Sequence, residues 1–376
     1  MSISKKSICG AGVLGAALLS APAFAATNFI QTNLIADTPG LAAVTDPNLV
    51  GTWGISTSAS SPFWVSNATN GLSTVYTVSE ATPATLTAPT ISSTVVSVPA
   101  SANNTSSKTG YPTGQIDNGY GVGNFDITPG TGSNFIFASL DGTISTRSGS
   151  TAVIQIDNGA NGAVYTGLAI GVSSAGPTLY AANFSQGTID VWDHNWKPLS
   201  LPGGFQDPDL PFSYLPSNIQ RFGRRLYVTY DLSDGTGSFA YGGLGTGFIN
   251  VFDTDGNLLQ RLVPGNPHLN LPWGLAVTGA NFGSFSYALV VGNFGDGTIS
   301  AFDLNSGNYL GTMQDGKGNN ISINGLWGLQ WGNGGSGGDA GTLYFAAGPG
   351  PNAQGVGHHG LFGSLKDGPD AASTLQ

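Results

Sequence analysis

Residues 271–313 read LPWGLAVTGANFGSFSYALVVGNFGDGTISAFDLNSGNYLGTM, with apolar runs of about half a dozen positions broken by Asp296-Gly297 and Ser306-Gly307. Short runs of this kind between Gly-containing turns predict four consecutive antiparallel strands, at 273–278, 287–292, 298–303 and 309–313. One four-stranded sheet of that size leaves a face unburied. The unit therefore has meaning only if further copies stack against it.

Such copies are present. A first-strand pattern recurs as Trp53-Gly54-Ile55, Phe125-Asp126-Ile127, Gly167-Leu168-Ala169, Asn218-Ile219-Gln220, Trp273-Gly274-Leu275 and Trp327-Gly328-Leu329. A second hairpin follows each in the same order, starting at Phe63, Phe135, Leu179, Leu226, Ala288 and Leu343. Unequal repeats of roughly 40 to 70 residues, each with about four strands, predict an all-β fold, a six-bladed β-propeller of four-stranded blades. Residues 28–37 form a strand without a first-strand motif, and the sixth unit runs out after its third strand. The N-terminal strand is thus expected to close the last blade, which removes two open sheet edges at once.

The chain ends qualify this picture. Lys5 and Lys6 precede an apolar segment at 8–19, and Ala23-Phe24-Ala25 supplies a small-x-small cleavage pattern. Residues 1–25 read as a secretory signal peptide cleaved after Ala25, because the apolar run is shorter than the roughly 20 residues of a membrane span. The propeller is then expected over 26–366, with a tail at 367–376. A secreted or periplasmic protein follows, with no membrane span left after cleavage.

Cys9, the only cysteine, lies in the signal segment, so the mature chain has no thiol for disulfides, catalysis or metal thiolates. With 58 Gly in 376 residues and only 9% charged residues, the chain is rich in turns and poor in helix. Loss of Lys5 and Lys6 leaves nine basic against 21 acidic residues, a net charge of −12. Such a surface disfavours nucleic acid. A monomer is expected.

Structural roles account for several repeated residues. Trp53, Trp273 and Trp327 occupy equivalent positions and are expected to fill gaps between adjacent blades. Asp193, Asp253 and Asp303 each end a third strand, where a carboxylate can accept from the amides of its own turn. Two irregular stretches, 101–123 and 332–360, read as long loops where binding could reside.

Propeller geometry puts the entry to each first strand and the second-to-third hairpin on one face, around the channel mouth. That face collects Asp46, Asn48, Asn124, Asn218, Asn270 and Asn324 before first strands, and Asn67, Asp141, Asn183, Asp231 and Asn293 at second-strand ends. Two readings stay open. Asparagine and aspartate there can serve the turn backbone alone. Alternatively, their oxygens converge on a polar ligand or a hard cation, since calcium takes about six to eight oxygen ligands. In that reading Asp46, Asn124, Asn218, Asn270 and Asn324 are the metal candidates. Asn67, Asp141, Asn183 and Asn293, with the His358-His359 pair, are the ligand-binding candidates.

The segments QTNLIADTPGLAAVTDPNLVGTWGI, TLYAANFSQGTIDVWD and VVGNFGDGTISAFDLNSGNYLGTM resemble a family of exported bacterial proteins of uncharacterised function, itself similar to NHL-repeat and gluconolactonase-like propellers. The resemblance implies the propeller and export, and it brings no established catalytic residue. Gluconolactonase-like enzymes hold a divalent metal with a glutamate and several Asn and Asp residues. Asn218, Asn270 and Asn324 fall in comparable places, while the glutamate has no counterpart. The sequence thus supports a binding or interaction module for a polar small molecule, glycan or protein through the Asn/Asp-rich face, with Ca2+ as the cation to test. The alternative is a metal-dependent lactonase-like hydrolase in the channel.

Overall fold

Strands break wherever the sequence places a Gly-containing turn. Gly71, Gly142, Gly187, Gly297 and Gly307 all take positive φ, which Gly adopts without steric cost. The structure, a computed structural model, describes residues 28–82, 85–86, 88–235, 242–350 and 357–368. The expected signal segment and Cys9 lie outside the described residues, as does the tail from 369 onward. Among the described residues the only helices are the two single-turn 3-10 segments Gly159–Asn161 and Gly283–Phe285.

The strands follow in chain order. β1 (Phe29–Ala36) and β2 (Val44–Thr45) come first, then β3 (Thr52–Ser56), β4 (Phe63–Asn67) and β5 (Leu72–Thr77). A small ribbon of β6 (Glu80–Thr82) and β7 (Thr85–Leu86) precedes β8 (Thr90–Ser97). Next come β9 (Pro112–Asp117), β10 (Phe135–Ser139), β11 (Thr143–Ser148) and β12 (Thr151–Asp157). A third group holds β13 (Tyr165–Ser173), β14 (Gly176–Asn183) and β15 (Thr188–Asp193), and a fourth holds β16 (Tyr214–Phe222), β17 (Arg225–Leu232), β18 (Gly247–Asp253) and β19 (Leu258–Val263). β20 (Pro272–Val277), β21 (Ala288–Asn293), β22 (Ile299–Asp303) and β23 (Tyr309–Thr312) form the unit read most clearly from sequence, with bounds close to those expected. β24 (Leu326–Trp331), β25 (Leu343–Ala347) and β26 (Leu361–Asp367) are the last strands of the described residues.

The six-bladed expectation is corrected by the hydrogen bonding, which gathers these strands into four sheets of four or more strands, one three-stranded sheet and a two-stranded ribbon. Four sheets have four or more strands: β16 to β19, β20 to β23, a five-stranded sheet in the order β2-β1-β26-β25-β24, and an eight-stranded one. The eight-stranded sheet joins two antiparallel halves through a parallel contact of Ser97 in β8 with Thr151 in β12. The third group stops at three strands, extended only by a bridge from Trp192 to Pro198. The architecture is all-β and propeller-like, with small sheets packed face to face. β1 pairs antiparallel with β26 from Phe29 opposite Asp367 to Ala36 opposite Leu361, so the N-terminal strand completes the final sheet.

The first strand of each group contacts the next in a closed ring, β3-β9-β13-β16-β20-β24 and back to β3. Glycine permits this approach. A Cβ on Gly54 would lie 2.3 Å from Thr113 O, one on Gly114 2.8 Å from the Gly167 Cα, and one on Gly274 2.3 Å from Trp327 O. In β16 Asn218 occupies the glycine position, and its amide donates to Trp273 O at 2.7 Å, linking β16 to β20. Between neighbouring sheets the core is apolar. Val290 and Ala301, for example, pack against Leu326, Phe345 and Leu365. Fully burying a large aliphatic or aromatic side chain contributes about 1.5–3 kcal/mol.

The second group corrects the sequence reading. Its first strand is β9, with Thr113-Gly114-Gln115 in the motif position, and not Phe125-Asp126-Ile127. Phe125 is buried with φ +53 in a turn outside any strand. The stretch 101–123, expected to be a loop throughout, therefore contains an inner strand. The turn aspartates behave as expected: Asp193, Asp253 and Asp303 each accept from the amide two residues on, at 2.8, 2.9 and 3.0 Å.

Candidate functional site

At the end where the first strands begin, the channel is filled. Trp53 and Trp327 stack with centroids 3.8 Å apart, Phe294 stacks on the other face of Trp327 at 3.9 Å, and Trp273 meets Trp327 edge-on at 5.9 Å. Ala68, Tyr111 and Leu140 complete the cluster. Residues from several members of a closed ring meet only near its axis. The tryptophans are therefore packing residues, as expected, but they plug the channel instead of filling gaps between sheets.

The Asn and Asp residues of this end are committed largely to the fold. Asn67 donates to Val65 O and to Thr74 Oγ1 and accepts from Thr52 Oγ1. Asn183 accepts from the Val164 amide and donates to Asp190. Asn293 accepts from the Asn270 amide and donates to His268 O and Thr298 Oγ1. Asp141 accepts from the Ser101 amide at 2.8 Å. Asp46 is buried, and it accepts from Tyr76 Oη and from the Asn48 amide, both at 2.9 Å.

The remaining candidates are scattered. Asn124 sits in the 118–134 loop, its amide 3.5 Å from Tyr120 O, while Asn324 is exposed in the turn before β24. Asn218 bonds Trp273 O, and Asn270 donates to Asp296 Oδ2 at 3.0 Å. His358 and His359 are both exposed, and the His359 ring lies 2.8 Å from Asp37 Oδ2. The structure brings Asn270 and Asn293 together but does not gather the set around one point. Among the described residues no group of three or more His, Cys, Asp or Glu is placed to hold a metal ion.

Among the described residues, several buried polar atoms at this end have no hydrogen-bond partner, Trp273 Nε1 among them. Both carboxylate oxygens of Asp231 are buried without a hydrogen bond, and so is Asn270 Oδ1. Burial pushes the Asp231 carboxyl well above the usual range, and the nearby Ser217 hydroxyl offsets this only in part.

The open space lies at the other end. A cavity of about 300 Å³ is walled by the inner strands, with Thr57, Gln115, Asp117, Arg221 and Gln330 among its polar lining and Trp273 also in its wall. Counting three positions past the ring glycine, or past Asn218 in β16, gives Thr57, Asp117, Ile170, Arg221, Val277 and Trp331. Asp117 and Arg221 are the only charged residues in the six inner strands. Sequence reasoning searched the residues before the motif and missed these. The signal was a single acidic and a single basic residue at the same offset in otherwise uncharged strands.

The Arg221 side chain is fixed. It turns back over β13, its Nε donates to Ile170 O at 2.6 Å and its Nη1 to Gly223 O at 2.7 Å. Trp331 repeats the first contact between β24 and β20, its Nε1 donating to Val277 O at 2.9 Å. Asp117 is half-buried and makes no side-chain hydrogen bond or ion pair among the described residues, and burial pushes its carboxyl up to about 6. Gln115 is held by Gly54 O, Trp64 O and Ser73 Oγ. The result is a water-accessible cup with fixed walls, one cation and one acid.

Fold and cup together define a propeller-like all-β protein with a single-ended channel. No family model matches the chain. It is 32% identical to uncharacterized protein R648 of Acanthamoeba polyphaga mimivirus over 310 residues, 79% of this chain and 72% of that protein, and 32% identical to uncharacterized protein L690 of the same virus over 311 residues, 79% and 77%. The chain belongs to the family of these proteins. Uncharacterized protein R640 is 30% identical over 247 residues, and there the match spans just under half (46%) of the relative's length. These relatives are viral, and a bacterial source gains no support from them. Solved structures with likeness include a virginiamycin B lyase from Staphylococcus aureus, at 13% identity, TM-score 0.46, 90% of this chain and 99% of that one. A chain of a nidogen/laminin complex matches at 11% identity and TM-score 0.42, over 74% and 83%. Likeness at that level adds nothing to the sheets described above.

Proposed function

We propose that the protein is an exported binding module that takes a small polar ligand in the channel cup. The observation that carries this reading is the asymmetry of the channel: tryptophans fill one end, while the other is open and holds the only two charged inner-strand residues. Rigid walls of strand backbone suit a preformed pocket of this size. Export rests on the signal pattern at residues 1–25; no helix among the described residues is long and apolar enough to cross a membrane. The test is a thermal-shift screen of sugars, amino acids and small organic ions against the purified protein and against Asp117→Asn and Arg221→Gln variants. A hit whose shift disappears in either variant supports the cup; a hit unaffected by both places binding elsewhere.

One observation favours a hydrolase as the second reading. A carboxyl pushed up to about 6 in a cavity is suited to proton transfer near neutral pH. Turnover of simple lactones that is lost in Asp117→Asn would support it. Calcium remains a proposal at the plugged end. There Asp231 and Asn270 Oδ1 offer buried, unpartnered oxygens on either side of Thr246-Gly247, which pair with Asn270 and Asp231 respectively. Elemental analysis of the purified chain tests it directly.

A further inference from the structure

We infer that the ligand of the cup is a small zwitterion, a molecule with a carboxylate or similar anion at one end and an ammonium at the other, as in a free amino acid or a betaine. This rests on the channel-cup reading above and specifies its chemistry.

Arg221 supplies the positive charge of the cup. Two of its donors are spent on carbonyl oxygens, Nε on Ile170 and Nη1 on Gly223. Those bonds fix the guanidinium plane over β13, and its Cδ lies 3.2 Å from where a Gly171 Cβ would stand. Nη2 has no protein acceptor among the described residues. A guanidinium immobilised in this way presents a planar edge that matches a carboxylate.

Asp117 supplies the opposite charge. β9 and β16 both flank β13, so the Asp117 carboxyl and a guanidinium drawn back over β13 stand on the two sides of one strand. They are not paired with each other, and Asp117 has no other partner among the described residues. Leu168, Ile170 and Ile219 also line the cavity, beside Gln115 and Gln220.

Charge bookkeeping selects the ligand class. A neutral polyol that displaced water from the cup would cover the half-buried Asp117 carboxyl and part of the exposed Arg221 guanidinium without pairing either, which is unfavourable. A simple anion would meet Arg221 but place a second negative charge near Asp117. A simple cation has the converse problem. Only a ligand with both signs satisfies both groups. The volume agrees: at about 30 Å³ for each water-sized group, 300 Å³ accommodates roughly ten non-hydrogen atoms.

The experiment is isothermal titration of the full-length mature protein with glycine, L-alanine and glycine betaine, beside acetate, ethylammonium and glucose as probes of each feature alone. Zwitterion binding at least tenfold tighter than acetate or ethylammonium, weakened tenfold or more by both Asp117→Asn and Arg221→Gln, is the expected result. Thermal melts of both variants within a few degrees of the parent show that the loss is not unfolding. If glucose binds and the zwitterions do not, the charge argument is overturned while the cup stands as a binding site. If no probe binds, the cup reading and this inference fall together.

Discussion

Trp53 and Trp327 stand on β3 and β24, the first and last strands of the inner ring, and their rings stack 3.8 Å apart and 14° from parallel. The pair joins the two ends of the ring at the axis. Both side chains are fully buried, and Phe294 covers the outer face of Trp327. Trp327→Ala removes the middle of a three-ring stack. The expected loss is about 3–5 kcal/mol in urea unfolding. A loss below about 1 kcal/mol would mean that the stack does not hold the ring together.

Gly114 lets β9 approach β13 closely. A Cβ there would lie 2.8 Å from both Gly167 Cα and Leu168 N, and backbone cannot swing aside. Gly114→Ala is expected to destabilise by about 1–3 kcal/mol or more. Gly279, with nothing within 4 Å of its would-be Cβ, is the control and should tolerate alanine. Equal melting temperatures for the two variants would refute the close-approach account.

Asp231 makes stability depend on pH with a definite sign. Its folded-state carboxyl is raised by burial, so the native state holds the proton more tightly than the unfolded chain, whose aspartates titrate near ~3.9. The stability from that proton is fully present below pH ~4 and is lost as pH rises towards the folded value. Asp231→Asn, which cannot ionise, is expected to match the parent near pH 4 and to exceed it by about 1–3 kcal/mol at pH 7. Denaturant titrations of both proteins across that range provide the check, and a pH-independent difference would count against the assignment.

β1 carries the closure of the final sheet. Phe29 at its start is buried and packs against Phe282 and Phe285, at 5.0 and 5.8 Å. A chain that begins at residue 38 loses that contact and leaves β26 as a bare edge. A lower and broader thermal transition is expected. A synthetic peptide of residues 28–37 added in trans should raise it again by re-adding the strand. No response to the peptide would mean that the pairing contributes little.

The contrast between what could and could not be read from sequence has a physical origin. Trp273-Gly274-Leu275 and the Asp296-Gly297 turn were legible because their strands are buried on both faces and bounded by glycine. Thr113-Gly114-Gln115 was not, because Thr113 and Gln115 are polar residues buried through hydrogen bonds to neighbouring strands, and they break the apolar pattern. Phe125 supplied a decoy: its burial comes from a turn that packs edge-on against Trp196 at 5.2 Å. The strand-end asparagines were located correctly in the chain, but their amides serve the hairpins that carry them. A one-dimensional pattern cannot separate an oxygen offered to a ligand from one already bonded to its neighbour.

The pairing of β1 with β26 also sets the order of events in biosynthesis. Once made, β1 must wait for β26, across nearly all of the described residues. Contacts of such long sequence separation form late and slowly. Every nascent chain that stops short of β26 lacks the partner that shuts the circle, so the ring cannot lock until β26 has been made.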